Sequence, residues 1–297
     1  MRSDNYFEIG SSHEVCQDYA LTGKIHDTIS YAIVSDGCTM SHKECGQVDF
    51  GARVMSHAAR DILNRQFKGK FFVDMDMPSF NRQFREKVII TTRMIERHID
   101  LHPMFADCTL LTAIVDHSRR AEVYMYGDGS VFVQYESGDY SIIDVTFLSG
   151  APFYLSYQTD PDRKRAYMDT FGDSSVLVDT YNYDFEGELK SKDSVQTTAK
   201  DKDLYSKMMF RFQGVEFVSL MSDGVKSFMR QEDGDFKLID YLEIVKELNN
   251  FKNKNGVYVQ RRMKSVAKSH KKAEITHYDD ISLASIMVEI PNVKKNI

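Results

Sequence analysis

Three short apolar runs in this chain each close on the dipeptide Asp-Gly: YAIVSDG at 31–37, VYMYGDG at 123–129 and FVSLMSDG at 217–224. Short runs of β-forming residues bounded by turn residues read as buried strands. The glycine lets the chain turn sharply just after the acid. Asp36, Asp128 and Asp223 therefore stand at strand ends. One Asp-Gly is an ordinary turn. Three in the same setting, on strands packed into sheets, can bring carboxylates together. Converging carboxylates repel and do not stay ionised without compensation. A hard divalent cation compensates them, and an all-oxygen donor set favours Mg²⁺ or Mn²⁺. Asp18, after Cys16-Gln17, and the pair Asp279-Asp280 add candidates.

The rest of the chain alternates in blocks. Apolar residues at helical spacing (Phe50, Val54, Ala58, Ile62, Leu63) predict a helix over 49–67, and Phe84, Val88, Ile89, Met94, Ile95 and Ile99 another over 80–101, with Pro78-Ser79 at its entry. Strands are expected at 109–115, 121–126, 130–136 and 140–145, with a hairpin turn at Ser137-Gly138-Asp139. Helices follow at 236–248 and 256–269, then a final strand at 281–289. Blocks of strands and blocks of helices indicate an α+β layered fold, not a parallel βαβ sheet. The stretch 185–203 is polar and reads as an exposed insertion. No repeat of 20–50 residues is present. The expected organisation is one domain over 1–297, ending in a short basic tail.

Charge narrows the function. Lys and Arg number 38 against 44 Asp and Glu, a net −6, which argues against nucleic acid as a partner. The basic stretch 264–272 reads as the solvated face of a helix. No apolar run approaches the roughly 18 residues of a membrane span, and 1–10 lacks the apolar core of a signal peptide. A cytoplasmic location without membrane association is expected. There, Cys16, Cys38, Cys45 and Cys108 would be reduced thiols. Cys38, His42 and Cys45 lack the second pair that a zinc site needs.

Taken in order, the acidic segments resemble those of the metal-dependent Ser/Thr protein phosphatases of the type 2C class. The matching segments are Gln17-Asp18-Tyr19-Ala20, Val34-Ser35-Asp36-Gly37, Asp107-Cys108-Thr109 with Gly127-Asp128-Gly129, Ser222-Asp223-Gly224, and Asp279-Asp280-Ile281-Ser282. They run through nearly the whole chain. The resemblance implies a four-layer αββα sandwich: two central antiparallel sheets flanked by helix pairs. It implies that Asp36 bridges two metal ions, with the Gly37 carbonyl as a further ligand. Asp223 and Asp279 would complete the first site and Asp18 would serve the second. Asp128, with Asp223, would match a third, weaker position. It also implies a phosphoprotein substrate and a metal-activated water, since two metals can lower the pKa of a shared water. No cysteine is then needed as nucleophile, and Cys16 and Cys108 read as packing residues.

Four departures stand out. His13 occupies the place of the family's phosphate-gripping Arg, and a His offers one donor where Arg offers a fork. The pairing of His13 with Cys16-Gln17-Asp18 is closest to a divergent bacterial branch, and His13 is a candidate phosphate ligand or general acid. Gln17 replaces a Glu ligand. Asp280 replaces an Asn, where it either strengthens metal attraction or faces solvent. The loop of Ser41, His42 and Glu44 lacks the family's glycines. The segment 147–184 falls where the family carries a flap; its aromatic-rich part, 147–171, holds Arg163, Lys164 and Arg165, suited to a phosphoprotein or to ordinary packing. Two alternatives stay open: a catalytically weak regulator or binding module, and a hydrolase of a small phosphate ester. Oligomeric state is not legible.

Overall fold

The computed structural model describes residues 1–38, 50–67, 76–232 and 234–289. It is a mixed fold of antiparallel sheets with helices packed outside them. A seven-stranded sheet runs in the order β1-β15-β11-β6-β7-β8-β9, and a five-stranded sheet in the order β10-β5-β4-β3-β2. In the first lie β1 (Arg2–Glu8), β6 (Gly129–Tyr135), β7 (Tyr140–Phe147), β8 (Ser175–Tyr183), β9 (Leu189–Thr198), β11 (Val215–Met221) and β15 (Ile281–Met287). In the second lie β2 (Tyr19–His26), β3 (Ile29–Ser35), β4 (Leu110–Asp116), β5 (Ala121–Tyr126) and β10 (Met209–Phe212).

The sheets face each other: β15 lies against β3 and β2, and β11 against β3 and β4. Every residue of β3 and of β4 is buried. That is why these strands read as unbroken apolar runs and not as alternating ones. Helix α1 (Phe50–Gln66) packs on β2 and β3 and against α2 (Met77–His98). From α2, Phe80 and Phe84 reach Tyr124 of β5, with ring centroids 5.7 and 6.4 Å apart. On the other side α5 (Tyr241–Asn249) and α6 (Tyr258–Lys272) pack together, and α6 lies along β1 and β15. Phe132, Phe217, Ile244, Val259 and Leu283 form the core there.

Several expectations are corrected. The segment 185–203, read as an exposed insertion, is exposed but carries regular structure. It holds β9, at the end of the seven-stranded sheet among the described residues, with its first eight residues exposed. The helix expected at 236–248 starts at Tyr241. Ahead of it β13 (Asp235–Leu238) pairs with β12 (Phe228–Glu232) in a small third sheet with β14 (Ile275–His277). Asp240 then caps the helix by accepting from the Leu242 amide at 3.0 Å. The segment 147–184 is ordered throughout: a 3₁₀ turn (Leu155–Thr159), α3 (Pro161–Phe171) and β8. The basic residues of α6 do lie on its exposed face, with Met263, Val266 and His270 turned inward. Among the described residues, no helix is long and apolar enough to cross a membrane. Ser41, His42, Glu44, Cys45 and the basic tail lie outside the described residues.

Candidate active site

All five acids sit at one kind of place, the end of a strand. Asp36 ends β3, Asp128 lies in the β5–β6 turn, Asp223 follows β11, Asp18 precedes β2 and Asp279 precedes β15. Backbone contacts fix each one. The Thr109 amide donates to the Asp36 carbonyl at 2.8 Å, and the Asp36 amide donates to Thr109 Oγ1 at 3.0 Å. Gly37 forms an isolated bridge with Cys108. Gly129, just after Asp128, takes a φ of +136°, open mainly to glycine. At Gly224 a Cβ would lie 1.8 Å from the Asp280 carbonyl oxygen, so only glycine lets the two acidic loops touch. The Ser222 amide donates to the Ser282 carbonyl at 3.1 Å, and the Ser282 amide to Ser222 Oγ at 2.9 Å.

The carboxylates feel one another's charge. Asp18 is fully buried beside Asp36, Ser222 and Ser282, and neither of its oxygens makes a hydrogen bond of ordinary geometry. Burial, then the Asp223 charge, pushes its carboxyl up to about 7. Burial, then the charges of Asp18 and Asp223, holds Asp36 well above the usual carboxylate range. Burial followed by Asp223 raises Asp128 to about 8, against the opposing charge of Lys226. Asp279 is raised by burial and again by Asp223. Asp223 is thus the common neighbour of the other four.

His13 joins the cluster from the N-terminal loop. Its Nδ1 lies 3.0 Å from Asp280 Oδ1 and its Nε2 3.6 Å from Asp279 Oδ1. Asp280 does not face solvent. It is 2% exposed and accepts the amides of Gly10 at 2.7 Å and Gln17 at 2.6 Å, tying the N-terminal loop to β15. Cys16 and Cys108 are poor nucleophiles, since burial pushes both thiols up to about 12.

Two features escape the sequence. Tyr154, from the segment after β7, is buried with its hydroxyl on the Cys38 thiol, near Asp36 and Asp128. Asp107 points away from the cluster and pairs with Arg163 of α3. Arg163 therefore turns inward, while Lys164 and Arg165 stay exposed. The aromatic density of 147–171 is the one sequence signal that bears on Tyr154. Nothing in the sequence couples residues 107 and 163.

Among the described residues, no three His, Cys, Asp or Glu side chains are already gathered tightly enough to hold a metal ion. The donor chemistry still fits one. Mg²⁺ keeps most of its waters and takes one or two carboxylates. Buried carboxylate oxygens without partners, at Asp18 and at Asp128 Oδ1, are costly unless a proton or a cation meets them.

Two facing antiparallel sheets with acidic residues at their strand ends define the class of fold. The family model "Protein phosphatase 2C" matches residues 9–267, and the chain belongs to that family. Among solved structures, a variant of a bacterial serine phosphatase aligns at 11% identity over 97% of this chain and 99% of that one, with a TM-score of 0.52. Serine/threonine phosphatase Stp1 from Staphylococcus aureus aligns at 12% identity over 97% and 95%, with a TM-score of 0.50. The phosphatase domain of SpoIIE from Bacillus subtilis, with a fragment of its regulatory domain, aligns at 11% identity and a TM-score of 0.47; 96% of this chain spans 62% of that one. At such identities the likeness concerns the fold. No curated protein matches the sequence.

Proposed function

We propose that this chain is a Mg²⁺- or Mn²⁺-dependent phosphatase acting on phosphoserine and phosphothreonine in proteins, as one catalytic domain with the helix pairs outside two facing sheets. The observation that carries this reading is a buried Asp18 beside half-buried Asp36, Asp128, Asp223 and Asp279, the other four all sharing Asp223 as a charged neighbour, with partnerless oxygens at Asp18 and Asp128. Asp36, with the Gly37 carbonyl, would be shared by two ions. Asp223 and Asp279 would serve the first, Asp18 the second, and Asp128 with Asp223 a third. When bound, the ions supply an activated water and offset the charge on the phosphoryl oxygens.

The protein's own groups do the rest. The backbone grip of Thr109 on Asp36 and the Ser222–Ser282 pair hold the carboxylates in register before substrate arrives. Asp280 lies 3.0 Å from His13 Nδ1, a charge contact that keeps the ring beside the acids. In its imidazolium form His13 donates from both nitrogens. Its Nε2 can then meet a phosphoryl oxygen or give its proton to the departing seryl or threonyl oxygen as the ester P–O bond breaks. The substrate would be a cytoplasmic phosphoprotein.

Hydrolysis of para-nitrophenyl phosphate with Mn²⁺, with and without EDTA, beside Asp223→Ala, tests this. Turnover requiring both metal and Asp223 supports it, and a phosphopeptide compared with a nucleotide then separates protein from small-ester substrates. A folded, Mn²⁺-replete protein without turnover would refute it in favour of a binding module. That alternative draws on the engagement of His13 with Asp279 and Asp280.

A further inference from the structure

Asp107 holds two things at once. Its carbonyl oxygen accepts the Cys38 amide at 2.8 Å, holding Cys38 two residues after Asp36. Its carboxylate, 3% exposed, accepts from the Arg163 guanidinium and from Ser156 Oγ at 2.6 Å. Both of those partners belong to the segment between β7 and β8. Arg163 also lies over the Tyr157 ring, 4.9 Å from its centroid. A second arginine reinforces the turn from α2: Arg93 donates to the Ser156 carbonyl at 3.2 Å and to Thr159 Oγ1 at 3.0 Å, and pairs with Glu96. Tyr154 stands just before this turn, its ring 5.7 Å from that of Tyr157 and its hydroxyl on Cys38 near Asp36 and Asp128. The segment is thus bolted down beside the acids, and Tyr154 is the side chain it delivers.

We propose that Asp107 and Arg163 are positioning residues: their ion pair latches the 147–171 segment onto the Asp107 strand start, beside the Cys38 backbone, and so holds the Tyr154 hydroxyl against the carboxylate site. This rests on the phosphatase reading for its consequence, though the latch itself can be observed without turnover. Arg suits the role because one nitrogen of its planar guanidinium meets the Asp107 carboxylate while its face lies over the Tyr157 ring, whereas Lys supplies only a point charge. The ends of the latch are far apart in sequence, so it closes only when both sheets and α3 are in place. Displacing a group beside the reacting atoms by about 1 Å can cost up to about a hundredfold in rate. A latch that sets the site should therefore act on kcat more than on KM.

The test uses the full chain with Arg163→Met, Arg163→Lys, Asp107→Asn and Tyr154→Phe, assayed at saturating Mn²⁺ on a phosphopeptide. Arg163→Met is expected to lower kcat about tenfold with KM changed less than about twofold, and Arg163→Lys to recover about a third of the parent rate. Because Arg163 acts through Tyr154, adding Arg163→Met to Tyr154→Phe should change kcat little further. Amide hydrogen exchange of the metal-free protein should quicken over 155–171 and at 36–38 in Arg163→Met and nowhere else. An unchanged kcat, multiplicative effects in the double variant, or faster exchange across the whole chain would each overturn the proposal. Should Arg163→Met not fold, Asp107→Asn and Arg163→Lys carry the same readouts. Should the parent lack turnover, the phosphatase reading fails, and the exchange pattern alone decides whether the latch exists.

Discussion

Asp18→Asn should make the metal-free protein more stable and the metal-replete protein less so. Asp18 is fully buried and its carboxyl is pushed from 3.8 up to about 7, mainly by burial. A shift of about three units at about 1.4 kcal/mol per unit puts the burden of an ionised Asp18 at about 4 kcal/mol above pH 7. Asn is nearly isosteric and carries no charge. Its amide, set among Asp36, Ser222 and Ser282, will not find every partner, and an unmet buried donor costs about 1–3 kcal/mol. The net gain is then about 1–3 kcal/mol, or about 2–6 °C in Tm for a chain of this size. The assay is thermal unfolding at pH 8, first in EDTA and then with millimolar Mn²⁺. In EDTA the variant should melt higher. With Mn²⁺ the parent should gain about 2.7 kcal/mol if the metal stands at a hundred times its Kd, and about 4.1 kcal/mol at a thousand times, and the variant much less, so at the higher ratio the order inverts. A variant no more stable than the parent in EDTA would refute the claim that Asp18 sits unpaired and costly. Equal Mn²⁺ gains in both would refute its service to a metal.

The same carboxylates set the pH profile of the metal-free fold. Asp18, Asp36, Asp128 and Asp279 all have folded pKa values above their unfolded ones. The folded state thus binds more protons, and their contribution is full below about pH 4 and lost as pH rises toward about 8. Denaturant midpoints in EDTA should accordingly fall from pH 5 to pH 8, while the stabilisation by Mn²⁺ grows over the same interval; a metal-free midpoint that rises would contradict this. Asp280→Ala strips the acceptor from the Gly10 and Gln17 amides and should cost about 3 kcal/mol by urea unfolding, with His13 released from its place. Gly224→Ala pushes a Cβ onto the Asp280 carbonyl and should cost about 2–3 kcal/mol, read as a drop in Tm of several degrees.

The acids were legible because each one closes an apolar run. A strand buried on both faces, such as β3 or β11, announces itself by composition, and the Asp-Gly that follows marks where it leaves the sheet. Edge strands announce nothing. β9 reads LKSKDSVQTT, and with its first eight residues exposed it has no apolar pattern to show. β1 fails differently: its residues are half-buried, so RSDNYFE mixes polar and aromatic residues without a clean period. Phe236 and Leu238 misled in the opposite sense. They are large, apolar and exposed in the small third sheet, and they extend the apolar spacing of α5 backwards past its Asp240 cap.

The site divides along the same line. Its acidic part is held by hydrogen bonds between neighbouring strands, Thr109 to Asp36 and Ser222 to Ser282, and a motif can record that because the partners recur with the strands themselves. The part contributed by 147–171 is held by side chains from distant segments, Asp107 to Arg163 and Arg93 to Ser156. No local pattern encodes such a pairing, since either partner alone is an ordinary charged residue. His13 lies between the two cases. Its place in the chain singled it out, but the chemistry around it, two carboxylates facing one imidazole, exists only once β15 has brought Asp279 and Asp280 to the N-terminal loop. Whatever this protein does with phosphate therefore depends on two kinds of restraint. The strands fix where charge gathers, and the long-range ion pairs fix what else can reach it.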